Sequence, residues 1–94
     1  MARSIHVRVL TTEGEAVADE AVAVRAPGER GYVGFLYNHA PLVTTLQPGT
    51  LTWRQPSGQT HALRITEGLL EIVHNRLTVL TESITPLDAP EAAR

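Results

Sequence analysis

Apolar and polar residues alternate with a period of two along most of this chain, the pattern of half-buried β-strands. In Ser4–Thr11, Ile5, Val7 and Val9 face one way while His6 and Arg8 face the other. Thr50–Gln55 turns Leu51 and Trp53 inward and Thr50, Thr52 and Arg54 outward. Thr60–Thr66 repeats the pattern with Leu63 and Ile65 inward, and Pro56-Ser57-Gly58-Gln59 joins the two runs as a hairpin. A second hairpin pairs Leu69–Val73 with Leu77–Thr81 around His74-Asn75-Arg76, with Leu70, Ile72, Leu77 and Val79 inward. Val33–Leu36 is strand-like, and Pro41 holds Ala40 extended so that Leu42 re-enters a strand. Turn residues such as Glu13-Gly14, Pro27-Gly28, Pro48-Gly49 and Glu67-Gly68 punctuate these runs. Their spacing of roughly eight to twelve residues predicts an all-β sandwich or barrel.

One run reads two ways. Glu15–Ala26 is rich in Ala and fits about three helical turns. Val22 and Val24 alternate with Ala, however, and Pro27-Gly28 closes the run early. It therefore reads as a short strand, a kink at Asp19-Glu20 and a second strand. Thr, Val and Ile supply 24 of the 94 residues, which favours the β reading because branched side chains suit a pleated surface. Pro86 to Arg94 has prolines and alanines without apolar period, so residues 84–94 are expected to be a flexible tail behind a single domain at 1–83.

Composition narrows the chemistry. Zero Cys excludes disulfide scaffolds, zinc ribbons and thiol catalysis. All eight basic residues are Arg, which removes the P-loop lysine and Schiff-base chemistry. A net charge of −2 without a basic stripe argues against nucleic acid and anionic membrane surfaces. No apolar run approaches the ~18 residues of a membrane span, and no leader-like apolar core follows Met1-Ala2-Arg3-Ser4. His6, His39, His61 and His74 lack metal-ligand spacing, and no nucleophile elbow surrounds Ser4, Ser57 or Ser83. Gly28, Gly31 and Gly34 have the look of a phosphate cradle, but a strand and not a helix follows them, so they read as loop glycines. No catalytic, cofactor or metal residue is expected. Leu69, Val73, Leu80, Tyr32 and Tyr37 fall outside the inward set; they are either scattered exposure or, if gathered, a partner patch.

The stretch Gly31-Tyr32-Val33-Gly34-Phe35-Leu36-Tyr37-Asn38-His39-Ala40-Pro41-Leu42 resembles the G-x-[LV]-G-[IF]-[LY]-P-G-H-A-P-L signature of the ATP synthase epsilon subunits (delta in mitochondria). Leu46-Gln47-Pro48-Gly49 is similar to their L-K-P-G, Gly68-Leu69-Leu70-Glu71-Ile72-Val73 to G-[GF]-x-L-E-V, and Asn75–Thr81 to N-x-V-T-V-L-A. The opening Ile5–Thr12 with Glu13-Gly14-Glu15 also matches in character and spacing, so the resemblance covers Ile5 to Glu82, with four motifs in register. The chain departs where Tyr37-Asn38 replaces Pro-Gly, where Glu67-Gly68 replaces Gly-Gly, and at Tyr32, a commonly acidic position. It also stops before the C-terminal helical hairpin of family members, as a short form or a truncated chain would.

The resemblance implies a flattened β-sandwich of about ten mostly antiparallel strands in two sheets. It implies a non-catalytic rotor subunit without cofactor, peripheral on the cytoplasmic face of the bacterial plasma membrane. The subunit would link the gamma shaft to the c-ring and so couple ion-driven rotation to ATP synthesis. Glu29, Arg30, Gly31 and Tyr32 match the loop that meets the c-ring, and Thr11, His39 and Thr44 match the gamma-facing surface. The competing readings are a free-standing β-sandwich module recognising a protein or glycan and, last, a metal hydrolase built on His39.

Overall fold

The computed structural model describes residues 3–87. Ten strands follow in chain order: β1 (Ile5–Thr11), β2 (Gly14–Ala21), β3 (Ala23–Gly28), β4 (Gly31–Leu36), β5 (Leu42–Leu46), β6 (Gly49–Arg54), β7 (Thr60–Ile65), β8 (Gly68–Val73), β9 (Arg76–Thr81) and β10 (Ile84–Leu87). The chain is all-β among the described residues, and Glu15–Ala26 takes the strand alternative.

All strands belong to one hydrogen-bonded path, β10-β7-β6-β3-β5-β8-β9-β1-β2, with β4 on the flank of β3. The ladder between β3 and β5 is a single residue pair, Gly28 opposite Leu46. On either side of it lie two five-stranded halves, β5-β8-β9-β1-β2 and β10-β7-β6-β3-β4, whose apolar faces meet as a β-sandwich. The first half contributes Ile5, Val7, Val9, Leu70, Ile72, Leu77 and Val79, all fully buried. The second contributes Val24, Phe35, Leu51, Trp53, Leu63 and Ile65. Each such side chain stabilises the fold by about 1.5–3 kcal/mol relative to exposure, which is why the period-two pattern fixes the register. The inward set read from the alternation is the core that forms.

Strand direction sorts the loops onto two ends. Thr12-Glu13, Glu29-Arg30, Gln47-Pro48, Thr66-Glu67 and Glu82-Ser83 share one end, here the lower. Tyr37–Pro41, Gln55–Gln59 and His74-Asn75 share the upper. His74 (φ 51°) and Asn75 (φ 60°) both take positive φ, giving the two-residue primed turn whose twist suits a hairpin.

Three expectations need correction. The break in Glu15–Ala26 falls at Val22, not at Asp19-Glu20: β2 runs unbroken to Ala21, and the Val22 N–H donates to the Arg54 carbonyl (2.8 Å) as the chain turns into β3. Asp19 does not break the strand because it points inward with Val17 and Ala21, opposite Val7 on β1, and its carboxylate is hydrogen-bonded there. The flexible tail does not begin at 84, since Ile84–Leu87 forms β10 antiparallel to β7, with Ile84 packed against the core; Asp88 to Arg94 lie outside the described residues. Gly31 needs its freedom (φ 124°), but Gly34 does not: it has no positive φ, and a Cβ there would meet nothing closer than the Val24 carbonyl oxygen at 4.0 Å.

Candidate functional site

The lower loop matched to the c-ring is the β3–β4 turn. Gly28 and Gly31 pair across it, leaving Glu29 and Arg30 at the tip. The turn is braced from β5: the Thr45 hydroxyl donates to Glu29 Oε1 (3.0 Å), the Gln47 side-chain amide donates to the Glu29 carbonyl, and the Gln47 N–H donates to the Pro27 carbonyl (2.9 Å). Arg30 is exposed and makes no ion pair among the described residues. Tyr32 behaves differently from the tip. Its hydroxyl accepts from the Thr50 N–H (3.1 Å) and its ring lies under the Arg25 guanidinium, 4.4 Å from the ring centroid. Tyr32 therefore staples β4 and β3 to β6 on the outer face, and its hydroxyl is already engaged.

His39 lies in the connection from β4 to β5, and Thr44 is on β5; β4 pairs with β3 and β5 with β8, so the two strands belong to different halves. At the upper end the His39 ring packs on Phe35 (centroids 4.9 Å apart) and its Nδ1 donates to the Ala40 carbonyl (2.6 Å). Asn38, at φ 66°, takes the left-handed turn that the family's glycine supplies. Its N–H donates to Asn75 Oδ1 (2.6 Å), and Asn75 Nδ2 donates back to Asn38 Oδ1 (3.0 Å), tying this loop to the β8–β9 turn. Thr44, opposite Leu70, faces a cleft of about 300 Å3 that it shares with Gly28, Arg30 and Val33. Thr11 is not beside them. It ends β1, three strands from β5 and so roughly 14 Å away at ~4.8 Å per strand.

Between β1 and β5 the outer face carries an apolar row that ends at Thr45, opposite Leu69. On the outer face of the first half, Leu69 pairs with Leu80, and Leu80 with Leu10 on β1. Val43 stands one row further on β5 and is 65 % exposed. The alternative of a gathered patch thus holds for Leu69 and Leu80, whereas Tyr32 belongs to the opposite face. Sequence reading missed Leu10 and Val43, since neither is adjacent to the others until the sheet forms.

The matching model is that of the ATP synthase delta/epsilon chain β-sandwich domain, and it spans residues 4–87. The chain belongs to this family. Among curated members it is 38 % identical to the ATP synthase epsilon chain of Desulfosudis oleivorans, covering all of this chain and 74 % of the relative. It is 45 % identical to that of Acidithiobacillus ferridurans over 88 % of this chain and 58 % of the relative. The epsilon-type fold recurs in a chain of the Euglena gracilis mitochondrial ATP synthase OSCP/F1/c-ring structure, with a TM-score of 0.84 at 18 % identity. That likeness covers 99 % of this chain and 61 % of the Euglena chain. The sandwich thus spans roughly three fifths to three quarters of the family members it matches.

Two further clusters went unread in the sequence. Asp19, grouped there with acids that merely solvate turns, accepts from Trp53 Nε1 (2.9 Å), from Gln55 Nε2 (2.9 Å) and from the Glu20 N–H (2.8 Å). Burial opposes its ionisation, but these hydrogen bonds and the nearby His61 outweigh that and hold its carboxyl below the ordinary 3.8. Period two through Val17, Asp19 and Ala21 was the available signal. Arg25, Arg54 and Arg64, distant in sequence, share the outer face of the second half.

Proposed function

We propose that this chain is a non-catalytic central-stalk subunit of an F-type ATP synthase, seated between the gamma shaft and the c-ring. In this reading it is peripheral on the cytoplasmic face of a bacterial membrane and transmits ion-driven rotation. The observation that carries it is the family match running through nearly every strand. Coupling of this kind requires a stiff body with two contact surfaces, for which a braced lower turn and an apolar outer strip are our candidates. The braced Glu29-Arg30 turn at the lower end is the c-ring contact, with Arg30 free to pair with carboxylates or backbone carbonyls. Gly31 sets the turn, and Tyr32 holds the strand behind it.

The gamma contact is the first half's outer face, where Leu10, Leu80, Leu69 and Val43 form an apolar strip with Thr11 at its β1 end; Thr44, turned to the inner face opposite Leu70, and His39 stand at its β5 side. An apolar centre with a polar rim is the ordinary anatomy of a stable protein interface. The chain's lack of Cys makes the test direct, because any introduced thiol is the sole one. Cys placed at Thr11, His39 and Thr44 is expected to cross-link to gamma in the assembled complex, and Cys at Arg30 to the c subunit. Assembly of the complex without either set of cross-links refutes the placement. Failure of the chain to co-purify with gamma refutes the function.

A further inference from the structure

The outer face of the second half differs in character from the apolar strip. Its rows read Leu36–Ala23–Arg54–Thr60, then Gly34–Arg25–Thr52–Ala62, with Arg64 one row below on β7. Arg25, Arg54 and Arg64 are exposed and, among the described residues, make no ion pair and share this face with no carboxylate. The chain as a whole carries −2, so this is a local inversion of its charge. Arg25 and Arg54 stand diagonally across β3 and β6, which puts their stems roughly 7–8 Å apart. Arg25 is held in place by the Tyr32 ring, and Tyr32 by the Thr50 N–H.

Between them is a groove of about 530 Å3, floored by Ala23 and Gly34 and walled by Leu36, which is 63 % exposed. Gly34 makes the groove. Neither its φ nor its packing demands glycine, since a Cβ would fall in open space. A strand-interior glycine without a local cause marks a place where another chain or ligand approaches the backbone closely.

We propose that this groove docks an acidic segment of a partner polypeptide, with an apolar side chain seated over Ala23 and Gly34 against Leu36 and carboxylates on Arg25 and Arg54. Charge complementarity selects the acid. The groove and the missing side chain at Gly34 select a polypeptide over a lipid surface, which has nothing to insert between two strands' side chains. Guanidinium–carboxylate pairs are the strong, directional hydrogen bonds, and Arg25 is already oriented for one.

The test uses the 94-residue chain, 15N-labelled, titrated with the peptide acetyl-(Glu-Leu)3-Glu amide. Amide shifts are expected at Ala23, Gly34, Thr52 and Thr60, weakening as salt rises from 0.05 to 0.5 M because the pairs are screened (Debye length about 10 Å at 0.1 M). Arg25→Glu with Arg54→Glu should weaken binding at least about tenfold, the loss of charge-assisted pairs. Gly34→Val should do likewise by filling the groove, while leaving the melting temperature at or above the parent's, which separates blocked binding from unfolding. No shifts at millimolar peptide, shifts that survive all these variants, or equal binding of the Lys-Leu counterpart overturns the proposal. So does binding to phosphatidylglycerol vesicles with no response to the acidic peptide.

Discussion

Replacing Asp19 by Ala should destabilise the chain by about 2 kcal/mol, and almost all of that loss comes from a residue on another strand. Asp19 sits on the edge strand β2 with its side chain turned inward, and Trp53 on β6 donates its indole N–H to it at 2.9 Å. Trp53 is 5 % exposed and stacks on His61 (5.5 Å between centroids), so without Asp19 its N–H has little access to water. A buried donor left unpaired costs about 1–3 kcal/mol. Gln55, half-buried, rehydrates and adds less. For a domain of this size, about 2 kcal/mol lowers Tm by roughly 8–16 °C.

Urea unfolding followed by the fluorescence of Trp53, the sole tryptophan, measures the loss. The carboxyl's folded pKa is lowered, so its contribution is full above the unfolded value and fades as pH falls through the folded one, below 3.8. The gap between parent and Asp19→Ala should therefore shrink in acid. Combined with Trp53→Phe, followed by circular dichroism, the two changes should cost less than their sum by about 1 kcal/mol. A loss within about 0.5 kcal/mol at neutral pH, typical of an ordinary surface change, refutes the clasp. So does a gap that persists unchanged as the pH falls well below the ordinary carboxyl value of 3.8.

Trp53→Ala should cost about 3–5 kcal/mol in the same assay, as large aromatic truncations in cores do; under about 1 kcal/mol means the ring is not packed. Gly68→Ala sets a Cβ 2.0 Å from the Leu80 carbonyl oxygen, where only backbone can move, so a loss near the upper end of overpacking, about 3 kcal/mol, is expected in calorimetry. Arg30→Ala should leave Tm within about 0.5 kcal/mol of the parent yet reduce ion-driven ATP synthesis in the reconstituted complex, whereas Tyr32→Ala should lower Tm as well. The chain added to a catalytic head lacking epsilon should leave ATP hydrolysis unchanged; strong inhibition by it contradicts a purely coupling role.

The strands were legible because a one-residue slip would exchange faces, and Ile5-Val7-Val9 or Leu51-Trp53 admit one register. Motif residues made the β4–β5 connection and the lower turn legible too. Asp19 was hidden by its company: next to Glu20 and near Glu13 and Glu15 it looks like solvated charge, and only the partner strand reveals an acceptor for Trp53. The bond from Thr50 to the Tyr32 hydroxyl was hidden for the same reason, since the two lie 18 positions apart. The arginine face could not be read, and of the apolar strip only Leu69 and Leu80 were flagged, because adjacency across β3, β6 and β7, or across β1, β9 and β8, is a property of strand order. β10 was lost to its proline: Pro86 forfeits a donor, which an edge strand tolerates.

The two halves are interleaved along the chain, one built from the first, second, fifth, eighth and ninth strands and the other from the rest. During synthesis this imposes an order of events. The N-terminal strand lies inside its sheet, and its parallel neighbour begins where His6 meets Arg76, seventy positions later. Until Arg76–Thr81 has left the ribosome, Ile5, Val7 and Val9 have no completed sheet to join. Truncations anywhere before that point should yield collapsed, protease-sensitive chains and not a smaller stable domain. With so many pairings distant in sequence, refolding belongs in the slow, millisecond-to-second class of β proteins.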